Sequence, residues 1–76
     1  MMGRKMMMVY DRERKQWMAE GTDKWYSLHC GETLRLHIGS QQLDGRLELG
    51  KDWYVIVNYV PMGLIEKHRY MISIES

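Results

Sequence analysis

Hydrophobic and polar residues alternate with a period of two along most of the chain. The clearest run is Glu32–Ile38, in which three apolar residues alternate with Arg35 and His37. Leu43–Leu49 alternates in the same way. A period of two is typical of a strand with one buried face, whereas the period of 3.6 that marks a helix is nearly absent. The pattern therefore predicts an all-β protein.

Turn-forming residues divide this alternation into short strands joined by tight turns. We predict a small, partly open barrel, SH3-like or OB-like, built from five to six short antiparallel strands. Its strands would be Lys5–Tyr10, Gln16–Glu20, Glu32–Ile38, Leu43–Leu49, Trp53–Val60 and Tyr70–Ile74, with Trp25–Leu28 as a further short extended piece. Pro61-Met62-Gly63 is expected to interrupt the chain after the fifth of these strands, since proline cannot donate to a ladder.

The register of the three central strands follows from burial, because a slip of one residue would turn a whole apolar row to water. We predict that Ile38 lies opposite Leu43 and that Leu49 lies opposite Trp53. A two-residue turn at Gly50-Lys51 has better turn chemistry, but it would set apolar residues opposite charged ones. The predicted apolar face comprises Leu34, Leu36, Ile38, Leu43, Leu47, Leu49, Trp53, Val55 and Val57.

The same register brings two cations together on the outer face of these strands. It places Arg35 directly opposite Arg46. Beside these two arginines lie His37, opposite Asp44, and Tyr54, opposite Glu48. Like charges facing each other across strands are unfavourable unless neighbouring carboxylates neutralise them. The two guanidinium groups are therefore either a neutralised surface pair or a site for a phosphate or a partner carboxylate. On the second interpretation all four residues bind the ligand or partner.

The aromatic residues offer a second candidate surface. The chain contains three Trp and five Tyr. We expect Trp17 and Trp53 to fill the core and the rings of Trp25 and Tyr54 to be exposed. We therefore predict that Trp25, with Tyr26 next to it in the sequence, binds the partner in addition to the four residues of the outer face. Exposed rings of this kind serve either a protein interface or the stacking of single-stranded nucleic acid.

Length and charge restrict the class of protein. A chain of 76 residues holds one compact domain, and a core this small leaves little room for an enzyme cleft. We predict a disordered N-terminus over residues 1–4 and a single β domain over residues 5–76. The net charge of +1 gives no field for non-specific binding to nucleic acid or membranes. A non-enzymatic binding module is the expected class.

Cys30 is the single cysteine of the chain, so no internal disulfide and no cysteine-rich zinc site can form. His29 beside it and Glu32 two residues on resemble a nucleophile with its base. Adjacent residues of an extended chain point to opposite sides, however, so the imidazole cannot readily reach the thiol. We predict that Cys30 is a small buried structural residue. No catalytic residue and no metal site are expected.

Other motifs are missing from the sequence. It has no glycine-rich phosphate loop, so nucleotide hydrolysis is not expected. No cofactor is predicted. The apolar run Met6–Tyr10 is too short for a secretory signal. The longest uncharged stretch, Trp53–Ile65, falls well short of the roughly 20 residues that a membrane span needs. Together with the unpaired cysteine, these features predict a cytoplasmic protein.

Three short motifs also carry a family resemblance. They are Tyr26-Ser27-Leu28-His29-Cys30-Gly31-Glu32, Gly45-Arg46-Leu47-Glu48-Leu49 and Asp52-Trp53-Tyr54. Their pattern resembles an uncharacterised family of small Gram-positive bacterial proteins, filed among the domains of unknown function and often encoded on phages and conjugative elements. The sequence departs from that pattern at residues 41–43, where the family usually has a Trp shortly before the Gly-Arg step. The resemblance implies no activity and no catalytic residue.

These observations predict a module that docks to a partner protein or to a small anionic ligand. Two alternatives remain open. The mobile-element context of the resemblance suggests an anti-defence protein that inhibits a nuclease effector or sequesters a nucleotide signal. Exposed rings in a small barrel suggest a single-stranded nucleic-acid binder, although the charge balance does not favour it. No membrane partner is expected, and a homodimer is compatible with the sequence.

Overall fold

Eight antiparallel strands form one sheet in the computed structural model, which describes residues 4–74. In chain order they are β1 (Arg4–Asp11), β2 (Gln16–Glu20), β3 (Trp25–Ser27), β4 (Thr33–Ile38), β5 (Gln41–Leu49), β6 (Trp53–Val57), β7 (Val60–Gly63) and β8 (Tyr70–Ile74). Strand β1 begins one residue before the predicted start of the domain. The remainder of the predicted disordered N-terminus, residues 1–3, lies outside the described residues.

The strand order is β3-β2-β1-β8-β4-β5-β6-β7. The last strand, β8, lies between β1 and β4 and pairs with both. Strands β3 and β7 form the two edges, so the sheet is open. The all-β antiparallel fold is confirmed and is consistent with a partly open barrel.

The sheet contains more strands than predicted, for two reasons. Trp25–Ser27 pairs fully with β2, and the segment predicted as one strand over Trp53–Val60 is divided by a turn at Asn58-Tyr59. The chain after that turn forms β7, so the predicted interruption at residues 61–63 is wrong. Pro61 fits there because β7 is an edge strand, where a missing N–H can face solvent.

The core lies on one face of the sheet and is built around Trp17. This indole is fully buried and packs against the rings of Tyr10 and Tyr70, with centroids 5.3 and 5.7 Å away. Trp17 is therefore a core residue, as predicted. The other buried apolar residues of this inner face are Met8, Ala19, Leu28, Leu34, Leu36, Leu47, Val55, Val57 and Ile72.

Trp53 also lies on the inner face but is only half-buried. Its indole N–H donates to the carbonyl oxygen of Lys15 at 3.1 Å, which ties the start of β6 to the loop between β1 and β2. Two residues of the predicted apolar face, Ile38 and Leu49, lie at strand ends and are each 49% exposed. The core is therefore centred nearer to β1 and β2 than the sequence predicted.

The predicted register between β4 and β5 is wrong by two residues. Ile38 pairs with Gln41, not with Leu43, and the strands are joined by the two-residue turn Gly39-Ser40. Gly39 has a φ of 59°, as the first central position of a type II′ turn requires. Because the shift is an even number, each side chain keeps its predicted face while its cross-strand partner changes.

The register between β5 and β6 is confirmed, with Leu49 opposite Trp53. Strands β6 and β7 are joined by a second two-residue turn, in which Asn58 and Tyr59 have φ values of 52° and 65°. Positive φ at both central positions defines a type I′ turn, which matches the natural twist of a hairpin.

A glycine on β5 permits close packing of the inner face. A Cβ atom on Gly45 would lie 2.5 Å from Cγ1 of Val55 and 3.2 Å from Cγ2 of Val57. Both valines are buried, and Val55 is fully so. Both side chains are enclosed by other core residues, so the packing here depends on the absence of a Cβ atom on Gly45.

We predict that Gly45→Ala lowers the free energy of unfolding by about 1–3 kcal/mol, the range for overpacking a core. Urea denaturation followed by tryptophan fluorescence measures this change. Gly63→Ala on β7 is the control, because nothing lies within 4 Å of a Cβ atom there and the backbone needs no positive φ. Equal effects of the two substitutions would contradict the packing argument.

Candidate functional site

Four of the predicted binding residues lie together on the outer face of the central strands. Arg35 and His37 on β4, Arg46 on β5 and Tyr54 on β6 alternate with buried inner-face residues, so all four point away from the core. The alternation rests on the strand geometry and is independent of the two-residue error in register.

The structure corrects the predicted contact between the two arginines. Arg35 lies opposite Asp44, and Arg46 lies opposite Thr33. The Nε atom of Arg35 is 2.9 Å from Oδ1 of Asp44, and that of Arg46 is 2.6 Å from Oε2 of Glu48. Each guanidinium group therefore has a carboxylate partner on the surface, and the two do not face each other as bare charges.

The surroundings of the other two residues also differ from the prediction in part. His37 lies opposite Gln42, not opposite Asp44, and its Nε2 atom shares a hydrogen bond with Oγ of Ser73 on β8. Tyr54 lies opposite Glu48 as predicted, but its ring is half-buried. His37 is therefore held by the neighbouring strand and not by an acidic residue.

Arg35 and Arg46 line the same surface cavity of about 570 Å³, which is open to solvent. Hydroxyl, amide and carboxylate groups line it with them, so the cavity offers donors and acceptors of both charges. We call this surface the arginine face. Its residues are Thr33, Leu34, Arg35, Asp44, Gly45, Arg46, Ile56, Asn58, Tyr59 and Ser73.

Tyr59 stands at the rim of the arginine face and is 96% exposed. It occupies a left-handed position of the type I′ turn, where glycine is the favoured residue because a Cβ atom is strained there. Tyr59 is absent from the predicted binding residues, because the apolar pattern predicts Trp53–Val60 as one continuous strand. Asn58, which tolerates positive φ, was the available signal for a turn.

Trp25 and Tyr26 belong to a different part of the molecule. They lie on the edge strand β3 and point to opposite faces of the sheet. Trp25 is 54% exposed on the outer face. Tyr26 packs against the core, with the Nζ atom of Lys24 5.5 Å from its ring centroid. The structure therefore does not bring these two side chains together with the arginine face.

The prediction that Cys30 is buried is wrong. Its side chain is exposed, and Sγ donates to Oε1 of Glu48 at 3.2 Å. Gly31 takes a φ of 92°, and the turn it forms places the thiol over β5. Glu32 accepts a hydrogen bond from the backbone N–H of His29. This carboxylate therefore stabilises the turn and does not orient the imidazole of His29.

Within residues 4–74, no group of three His, Cys, Asp or Glu side chains is arranged to hold a metal ion. The same stretch contains no helix long and apolar enough to cross a membrane.

Comparison with known proteins identifies a family and a fold. A family model described as a domain of unknown function, DUF5348, matches residues 6–74. A crystal structure of a protein from Ruminococcus gnavus superposes with a TM-score of 0.75 at 23% sequence identity, covering 93% of this chain and 100% of that one. No curated protein matches the chain. The structural match supports the fold alone.

We predict that Cys30→Ser changes the free energy of unfolding by less than about 0.5 kcal/mol, as is usual for an exposed side chain. The native protein should react with a thiol reagent such as Ellman's reagent at a rate close to that of the denatured chain. Chemical denaturation and stopped-flow absorbance give the two values. A thiol that reacts only after unfolding would show that Cys30 is shielded.

We predict that Arg35→Ala lowers the free energy of unfolding by up to about 1 kcal/mol, because an exposed ion pair is lost. The midpoint of thermal unfolding should fall slightly. Relief of repulsion between Arg35 and Arg46 would instead raise this midpoint. A double-mutant cycle with Asp44→Ala isolates the pair. A coupling energy of zero would show that the 2.9 Å contact contributes nothing.

Proposed function

This chain belongs to the DUF5348 family of domains of unknown function, and we propose that it is a non-enzymatic module that binds a partner protein through the arginine face. The observation that supports this most strongly is the position of Tyr59. A ring that is 96% exposed on a strained turn position is costly for the free domain, and strained residues of this kind concentrate at binding sites.

The chemistry of the arginine face suits a protein better than a small anion. Arg35 and Arg46 are each paired with a carboxylate, so the surface carries no excess positive charge for a phosphate. Tyrosine and arginine, like tryptophan, are enriched among the anchor residues of protein interfaces. An open cavity beside an exposed ring can receive a protruding side chain of a partner.

The other functions considered from the sequence are less well supported. Trp17 is buried in the core, while Trp25 and Tyr26 point to opposite faces, so the rings do not line up as a stacking platform. An anti-defence role, which the resemblance to mobile-element proteins suggests, would be a special case of the proposal if the partner were a nuclease effector. The exposed thiol of Cys30 supports a reducing, cytoplasmic setting.

Tyr59→Gly provides the sharpest test, because folding and binding should respond in opposite directions. The substitution creates the favoured Asn-Gly turn, so stability should rise by about 1 kcal/mol and the unfolding midpoint by about 4–8 °C. Affinity for the partner should fall at least tenfold, since an anchor residue is removed. Calorimetry measures the first effect, and quantitative affinity capture from the source cells measures the second.

Lys51→Ala is the control for capture, since Lys51 is exposed in the turn before β6, away from the arginine face. It should retain every protein that the wild-type domain retains, while Tyr59→Gly and Arg46→Ala should lose the same one. Full retention by both test variants would refute the proposal. A nucleotide or nucleic acid in the purified protein, visible by mass and absorbance ratio, would favour the sequestration or nucleic-acid alternatives instead.

A further inference from the structure

A second surface lies on the outer face at the other half of the sheet. Val9 on β1, Met18 on β2 and Trp25 on β3 lie on this face, because their neighbours along each strand point into the core. They border a cavity of about 400 Å³, together with Tyr10, Asp11 and Arg14. We call this surface the Trp25 groove. It shares no lining residue with the arginine face.

The floor of the Trp25 groove is apolar and already shielded from water. Met18 lies on the outer face yet is only 7% exposed. Trp25 beside it is 54% exposed, and its indole N–H has no hydrogen-bond partner within residues 4–74. An indole that stands half in solvent and lines a cavity with a buried methionine can gain substantial burial by covering another apolar group.

The two charged side chains at the rim of the groove, Asp11 and Arg14, differ in how fully their hydrogen-bonding groups are used. Oδ1 of Asp11 accepts hydrogen bonds from the backbone N–H groups of Glu13 and Arg14, at 3.0 and 3.3 Å, so its own loop holds this carboxylate. The Nε atom of Arg14 is 3.8 Å from Oδ2 of Asp11, and the arginine side chain is 64% exposed. The guanidinium group thus retains donors for a second, closer carboxylate.

Tyr10 borders the groove, but its ring points to the inner face and packs against Trp17. Arg14 supplies the positive charge beside the groove.

We propose that the Trp25 groove binds a segment of a partner protein in which a large apolar side chain is followed directly by an acidic residue. The apolar side chain lies between Trp25, Val9 and Met18, and the carboxylate accepts hydrogen bonds from Arg14. This interaction is separate from the one proposed for the arginine face, and together the two surfaces would allow the domain to contact two segments.

The shape of the groove favours a tethered side chain over a free small molecule. Ligand sites usually bury most of a small molecule's surface, whereas this groove is formed by one face of three strands and a single loop and is open to solvent. A side chain that belongs to a partner protein is already shielded from water on one side by that protein. The groove has to shield only its other side.

Titration with capped hexapeptides, followed by ¹H–¹⁵N NMR, tests this proposal. The probe has the sequence Gly-Ser-Phe-Glu-Gly-Ser, and matched peptides carry Gln in place of Glu or Ala in place of Phe. The Phe-Glu peptide should shift the Trp25 indole signal and the Val9 and Met18 amides. It should bind about three- to tenfold more tightly than the Phe-Gln peptide, and the Ala-Glu peptide should leave these signals unchanged.

Variants of the protein identify the groups responsible. Arg14→Gln should remove the preference for Glu over Gln, while Arg12→Gln, in the same loop but outside the groove, should keep it. Trp25→Ala should abolish binding and retain the dispersed spectrum of a folded domain, because the ring is largely exposed.

Three results would overturn the proposal. They are the absence of shifts at the groove, a preference for Glu that survives Arg14→Gln, and tighter binding of free N-acetylphenylalanine than of the Phe-Glu peptide. The last result would identify a small carboxylate as the occupant. None of them depends on Tyr59, so failure here is distinguishable from failure of the function proposed for the arginine face.

Discussion

A single sheet without a covering layer can bury an apolar face only by curling around it, and this constraint governs the structure. Within residues 4–74 no helix packs on either side. The inner face must therefore supply its own core, and it does so by enclosing the Trp17 indole between Tyr10 and Tyr70. Close approach of the strands near Val55 requires the missing side chain of Gly45. The compact result has a radius of gyration of 11.6 Å.

Because the core lies on the inner face, the outer face is available for the two proposed contacts. Strict alternation gives each outer residue a fixed direction on a paired strand, which reduces the entropy lost on binding. The outer face is also divided in character. It is polar around Arg35 and Arg46 and apolar around Met18 and Trp25. Two chemically different contacts can thus be built on one rigid support.

Much of this arrangement is encoded in the local pattern of hydrophobic and polar residues. The period of two identified the strands and their faces, and burial selected the pairing of Leu49 with Trp53. Burial could not select the pairing of β4 with β5, because registers that differ by two residues bury the same side chains. Turn chemistry decides there, and the Gly39-Ser40 dipeptide carried that information.

The exposure of several side chains could not be predicted from the pattern of hydrophobic and polar residues. The exposure of Cys30 depends on how the turn at Gly31 sits over β5, which is a tertiary relationship. The exposure of Tyr59 follows from a turn that a continuous apolar run concealed. The sequence predicts that Trp17 and Trp53 both fill the core, and only the curvature of the sheet determines that Trp17 is the one fully enclosed.

The central place of β8 has a consequence for how the domain is made. The strands β1–β3 and β4–β7 form two antiparallel groups that share no ladder, and β8 joins them. On the ribosome this strand emerges after β1–β7, so neither group can complete its core before β8 has been made. The inner faces of both groups stay uncovered until Tyr70–Ile74 has left the exit tunnel. Completion of the core therefore depends on contacts between residues distant in sequence, and the uncovered inner faces are open to chaperones until then.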